Sequence, residues 1–219
     1  MELTPAAHWL NTALAGFDQS VTLAVHQLYL SAGGFFTPFF KLISLLGKGG
    51  IFLILLSICL MLVRKTRRYG TAMLLGLAIG FIIANLFLKV VIARPRPYAD
   101  EAGYFYPLWD MLGRAMESDK SFPSGHTNAA FAACVPVFLL GNRKYSWTAL
   151  LFGVLMGISR IYLVVHFPSD VVGGLLTGTL AGFLCTLVAT RAIPESWYEL
   201  DFFAWAHRPG QHDSAETAP

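Results

Sequence analysis

Three short clusters in this chain hold residue types that can grip an anion and attack it. The first is Lys89-Val-Val-Ile-Ala-Arg94-Pro95-Arg96-Pro97, three cations in nine residues. The second, Phe122-Pro123-Ser124-Gly125-His126-Thr127, directly precedes a long apolar run. The third is Ser159-Arg160, five residues, His166, three residues, and Asp170. A helix beginning at the second cluster would offer free backbone N–H groups and a positive dipole end to an anion. Gly125 would let a ligand approach the backbone, and His126 would put a titratable group beside it. In the third cluster, an aspartate accepting from one imidazole nitrogen fixes the tautomer and frees the other nitrogen to attack.

Each cluster also has a plainer explanation. The cations of the first could snorkel to the membrane surface, and Pro123 and Ser124 could be ordinary helix-start chemistry. His166 and Asp170 could answer the dipoles of two helix ends. Pro168 argues against one continuous helix through both, which places Asp170 in the first turn of a new one. Two X-Pro steps likewise end the preceding helix near Ala93 and leave Arg94 and Arg96 on extended chain. One anion-handling site accounts for all three clusters at once.

The elements that must hold these residues are membrane helices. Of 219 residues, 55% are hydrophobic and only 13% charged, against about 25% charged in a soluble domain. A spanning helix needs about 20 mainly apolar residues. Blocks at roughly 47–63, 71–93, 127–140, 147–165 and 170–190 meet that need with their flanks. Region 8–46 is interrupted by Asp18, His26, Gly33, Gly34, Pro38 and Lys41, and holds either one more span or interfacial helices. The expected fold is therefore all-α, a single bundle of five or six transmembrane helices. It occupies residues 1–193, with the motif core at 89–170 and an interfacial, then disordered, tail at 194–219. The start, Met1 to Leu10, has no signal-peptide pattern.

Lys and Arg in short loops stay on the cytoplasmic side. Arg64, Lys65, Arg67 and Arg68 form one such loop and Arg143-Lys144 another, which puts the loop 94–122 and all three clusters on the outer face. The aromatic residues Tyr98, Tyr104, Phe105, Tyr106 and Trp109 in that loop read as an interfacial belt, with a lid as the alternative. Cys59, Cys134 and Cys185 lie singly in apolar blocks, so they read as packing residues and not as metal ligands or a disulfide framework. A net charge of +3 without a basic stripe excludes nucleic acid as a partner.

The three clusters together resemble the type-2 phosphatidic acid phosphatase superfamily, which also includes vanadium haloperoxidases. Lys89 with Arg96-Pro97 matches its first motif. Pro123, Ser124, Gly125 and His126 match the second, and Ser159, Arg160, His166 and Asp170 the third. The resemblance implies a phosphohistidine on His166, orientation of that ring by Asp170, and protonation of the leaving oxygen by His126. It implies that Lys89, Arg96, Ser124, Gly125 and Arg160 hold the phosphoryl oxygens, with no metal and no cofactor. Arg94 falls outside the matched positions and is expected to reach a second phosphate or the surface.

The expected substrate is a lipid phosphate in the membrane. Undecaprenyl diphosphate comes first, because Arg94 beside Arg96 would supply charge for a second phosphate. Phosphatidylglycerophosphate or phosphatidic acid, and then lipid A 1-phosphate, are the alternatives, as is transfer of the phosphoryl group to another lipid. A transporter would place its charges near the midplane between repeated halves, and no internal repeat is present. A scaffold would have no use for two histidines at an anion site.

Overall fold

The computed structural model describes residues 3–200 and 202, and these form helices with no strand. Helices α1 (Pro5–Ala13) and α2 (Ala15–Ser31) lead into α3 (Thr37–Gly47) and α4 (Ile51–Leu62). Gly49 and Gly50, at φ +61° and +68°, make the bend between α3 and α4 in a conformation that favours glycine. Helix α5 (Arg67–Phe81) widens into a π-helical stretch, Ile82–Leu88, before the short α6 (Lys89–Ile92). The outer loop carries α7 (Phe105–Met111), and the bundle is completed by α8 (Gly125–Leu140), α9 (Arg143–Tyr162), α10 (Pro168–Arg191) and α11 (Glu195–Glu199).

Among the described residues, three helical runs are long and apolar enough to cross a membrane: Thr37–Leu62, Arg67–Ala99 and Pro168–Arg191. The first begins ten residues earlier than the apolar block at 47–63, because α3 continues the run through the glycine bend. Helix α4 buries only Leu53 and Ser57, and Phe52, Leu55, Leu86, Phe87, Val90, Leu176 and Leu180 stand exposed. So broad an apolar surface is costly in water and natural in lipid. The chain is an integral membrane protein.

Helix α8 is the axis of the bundle, buried nearly without break from Thr127 to Pro136. Small residues let its neighbours reach its backbone. A Cβ at Gly174 of α10 would stand 2.5 Å from the Ser124 carbonyl, and one at Gly76 of α5 would stand 2.5 Å from that of Ala132. Neither position can carry a side chain without moving a helix.

The motif residues cluster at one end of the bundle. Lys89 lies at the end of the α5–α6 run, Gly125 and Pro168 begin α8 and α10, and His166 follows α9. The basic loops lie at the other end. There Arg67 is fully buried, its Nε donating to the Met61 carbonyl at 2.9 Å and Nη1 to those of Trp197 and Tyr198 at 3.1 and 3.3 Å. Arg68 pairs with Glu195. Helix α11 is therefore docked on the first basic loop; of the expected tail, residue 201 and those from 203 onward lie outside the described residues.

Of the outer aromatic residues, Tyr98 and Trp109 are not part of a belt, while Tyr104 stands exposed and Phe105 and Tyr106 half-buried. Tyr98 stacks on Trp109 with ring centroids 4.5 Å apart, and both are buried with Phe40, Leu112 and Tyr162 in a small core of their own. Their polar ends are bonded inside the loop: Trp109 Nε1 donates to the Ala115 carbonyl, and Tyr98 Oη accepts from the Glu117 N–H. That internal satisfaction is what allows burial.

Candidate active site

Local sequence rules place each motif residue. Ser124 caps α8 in extended backbone, and its N–H donates to the Asp170 carbonyl at 2.9 Å, tying the starts of α8 and α10 together. Helix α6 stops at Ile92, Ala93 turns left-handed at φ +51°, and Pro95 and Pro97 hold Arg96 in extended chain. At the end of α9, the Val165 N–H reaches the Arg160 carbonyl and that of Val164 reaches Ile161, a Schellman turn. Its left-handed position is filled by Val164 at φ +54°, where glycine is usual. A β-branched residue there is strained by about 1–3 kcal/mol, and the strain sits two residues before His166. Pro168 then opens α10, and Asp170 Oδ2 accepts from the Phe167 N–H at 2.9 Å, capping its own helix.

Lys89, Arg96, Gly125, His126 and His166 line one cavity of about 590 Å³. Asn85, Glu117 and Asp119 join them at its polar end, while Ile54, Leu74, Leu77, Ala78 and Phe81 form its apolar part. A Cβ on Gly125 would stand 3.3 Å from Lys89 Nζ and 3.2 Å from Asn85 Oδ1, so glycine lets the lysine lie against the start of α8.

Arg96 Nη1 donates to the Val165 carbonyl at 2.7 Å and meets His166 Nε2 at 2.8 Å. A guanidinium offers only donors, so Nε2 carries the lone pair and Nδ1 the proton. That Nδ1 lies 3.5 Å from Asp170 Oδ2. Burial first, and then the charges of Arg96, Arg160 and Lys89, hold the imidazole well below its ordinary range. His166 is a neutral base whose Nε2 lone pair is held by Arg96 at the wall of the cavity.

The expected site residues divide here. Ser124, Arg160 and Asp170 lie behind the cavity wall, each 2% exposed or less. Ser124 Oγ pairs with Thr127 Oγ1 at 3.0 Å. Arg160 is bound by Glu117 and Ser44, with its Nε buried and unpaired. The cations are already occupied: Asp119 pairs with both Lys89 and Arg96, and Glu117 with Arg160. Burial pushes the Asp119 carboxyl up, but hydrogen bonds and charge from Lys89 and Arg96 outweigh it and hold the group below the usual carboxylate range.

Arg94 is the main correction. It reaches neither a second phosphate nor the surface: it is 1% exposed and lies between two carboxylates, Asp18 at 2.8 Å and Asp170 at 2.7 Å. Sequence reasoning missed Asp18, Ser44, Asn85, Glu117, Asp119 and Ser121. For Asp18 a signal was present, since a lone carboxylate in an apolar helix needs a partner.

The comparisons agree with this geometry. The chain is 34% identical over 136 residues to undecaprenyl-diphosphatase BcrC of Bacillus subtilis, covering 60% of this chain and 64% of that one, just under two thirds of its length. It is 36% identical over 188 residues to phosphatidylglycerophosphatase B of the same organism, covering 80% of this chain and 73% of that one. The crystal structure of a transmembrane PAP2-type phosphatidylglycerolphosphate phosphatase from B. subtilis superposes with a TM-score of 0.64 at 29% identity, over 86% of this chain and 92% of that one. Residues 51–194, well over half of the chain, match the PAP2 superfamily, and this protein belongs to it.

Proposed function

We propose that the protein is a lipid phosphatase that works through a phosphohistidine on His166. The observation that carries this reading is His166 Nε2, held as an acceptor by Arg96 on the wall of a cavity with a cationic end and an apolar remainder. A lipid phosphate has that same division. Its phosphoryl oxygens displace Asp119 and Glu117 from Lys89, Arg96 and Arg160, while the N–H groups at the start of α8 supply further donors. Arg96 Nη1 passes from His166 Nε2 to a phosphoryl oxygen, which frees the lone pair; Nε2 attacks phosphorus as the bond to the leaving oxygen breaks, and His126 gives that oxygen a proton. Water then attacks the phosphohistidine, returning a proton to His126 and releasing phosphate. Positioning and charge neutralisation are the main work of phosphoryl transfer. Asp170, its Oδ2 3.5 Å from the proton-bearing Nδ1 of His166, favours this tautomer through its charge.

The domain is taken as residues 1–193, with 194–219 as its tail. The motif end faces the outer side of a bacterial inner membrane. Support comes from Arg67, Arg68, Arg143 and Lys144, which gather at the opposite end.

Undecaprenyl diphosphate is the favoured substrate, supported by the likeness to a protein named for that reaction. Phosphatidylglycerophosphate is the second reading. It is favoured by the withdrawal of Arg94 from the cavity, which removes the charge expected to hold a second phosphate. The deciding experiment compares kcat/KM for undecaprenyl diphosphate, phosphatidylglycerophosphate and lipid A 1-phosphate in one detergent, with and without EDTA and vanadate. Metal-free turnover, inhibition by vanadate and loss of more than nine-tenths of activity in His166→Ala are expected. Activity that EDTA abolishes and a divalent ion restores would sink the mechanism. A tenfold preference for the glycerophospholipid would replace the substrate and leave the mechanism standing.

A further inference from the structure

Behind His166, away from the cavity, a second polar assembly spans four parts of the chain. Arg94 stands at its centre with every side-chain nitrogen committed. Its Nε donates to Asn11 Oδ1 at 2.8 Å, Nη1 to Ser169 Oγ and Asp170 Oδ1 at 2.7 Å each, and Nη2 to Asp18 Oδ2 at 2.8 Å. The Phe167 ring lies against the guanidinium, 3.8 Å from its centroid. Asp18, on α2, accepts in addition from the Ser169 N–H and the Ser169 hydroxyl, both at 2.8 Å. A carboxylate from an N-terminal helix thus supplies an N-terminal cap to α10, 151 residues away.

This arrangement decides which way Asp170 faces. Its Oδ1 is taken by Arg94; its Oδ2 accepts from Ser121 Oγ at 2.5 Å and from the Phe167 N–H, and it is Oδ2 that faces His166. Arg94 in turn is held between two anions. Without the Asp18 carboxylate, its charge would fall on Asp170 alone, in competition with the imidazole for the same group.

We propose that Asp18, with Asn11, is a positioning residue for catalysis: through Arg94 and Ser169 it fixes the Asp170 carboxylate, and so the His166 ring, in the attacking orientation. This rests on His166 being the nucleophile. Asn11, Asp18 and Arg94 line a separate cavity of about 790 Å³ that meets the first at Arg96, and none of them, nor Ser169 or Asp170, lines the cavity that holds His166, which gives the assignment a kinetic signature. Loss of Asp18 acts on turnover and not on substrate capture.

The test uses the full chain purified in detergent, with phosphate release from farnesyl diphosphate as the probe reaction and thermal melts to count folded protein. Asp18→Asn is expected to lower kcat tenfold or more per folded molecule, with KM within twofold of the wild type. Asn11→Ala removes only a neutral acceptor, so it folds more readily; it should lower kcat at least threefold with the same split. A kcat within twofold of wild type in either folded variant overturns the proposal. So does a loss of turnover matched by an equal rise in KM, or one explained by unfolded protein alone. Wild-type protein that releases no phosphate, or His166→Ala that matches wild type, is a failure of the functional reading instead, and the two failures are told apart on one plate.

Discussion

His166 stands between two charged regions of opposite design. On the cavity side, Lys89 and Arg96 share Asp119 and Arg160 holds Glu117, and solvent reaches both carboxylates: the Asp119 side chain is 47% exposed and that of Glu117 28%. On the far side, Arg94, Asp18 and Asp170 are exposed by 2% or less, and the partners of Arg94 are fixed by helices α2 and α10. Exposed pairs exchange readily and contribute little to stability. Buried ones are strongly destabilising to break. Arg94 and Arg96, two residues apart and of equal charge, therefore do different work. Burial of the partner, not the residue type, separates a cation that can receive a substrate from one that holds a frame.

The comparison can be broken at several points. The largest effects belong to the histidines that face the cavity. His126→Ala should cost about 10²–10⁴-fold in kcat, the range for a positioned acid, and His166→Ala at least as much, both in folded protein by thermal melt. Next comes Arg94→Ala, which leaves two buried carboxylates without their cation and should destabilise the chain by about 3–5 kcal/mol. A melting temperature unchanged by that substitution would erase the distinction between the two regions.

Arg96→Gln should lower kcat/KM by about 10²-fold, the order expected for losing one donor to the transition-state charge, with little change in melting. It also tests a sign. Arg96 is the nearest cation holding the His166 imidazole down, and the neutral ring attacks. Its removal lets the ring protonate at higher pH, so the acid limb of the kcat/KM profile should move upward. The smallest effect is expected at Asp119. Asp119→Asn removes an exposed competitor for Lys89 and Arg96, worth up to about 1 kcal/mol, and should tighten inhibition by inorganic phosphate two- to fivefold. Because the Asp119 carboxyl is held below its ordinary value, its pairs persist above that ordinary value, about pH 4. They are lost as pH falls through the depressed one, and the advantage of the variant should fade there.

Much of the cavity side was legible in sequence, because its residues are tied to local events. Pro95 and Pro97 end a helix, Ser124 starts one, and Pro168 separates His166 from Asp170; each leaves a mark within a few positions. The far side left almost none. Asp18 reads as an interruption in an apolar stretch, Asn11 does not stand out at all, and nothing local connects them with Arg94, 76 and 83 residues away. The sharper clue was electrostatic: an apolar segment with one carboxylate, and elsewhere a cation outside the family motif, each needing a partner. Glu117 and Asp119 are masked differently, as two of several acidic residues in the loop 94–122. Tyr98 and Trp109 depart from the expected belt because composition cannot say whether a tyrosine hydroxyl or an indole N–H will find its partner in protein or in water.

The seam where α10 and α5 meet the backbone of α8 at Gly174 and Gly76 has a practical corollary. Association by backbone proximity does not depend on water driving apolar side chains together, so it keeps its strength in hydrocarbon. Ser124 and His126 begin one side of that seam, and Asp170 begins the other. The relative placement of these groups should consequently be indifferent to the solvent around the bundle, and kcat on a water-soluble short-chain substrate should change little between detergents of different tail length. What such an exchange should disturb is the capture of long-chain lipid through the exposed apolar flank of α4.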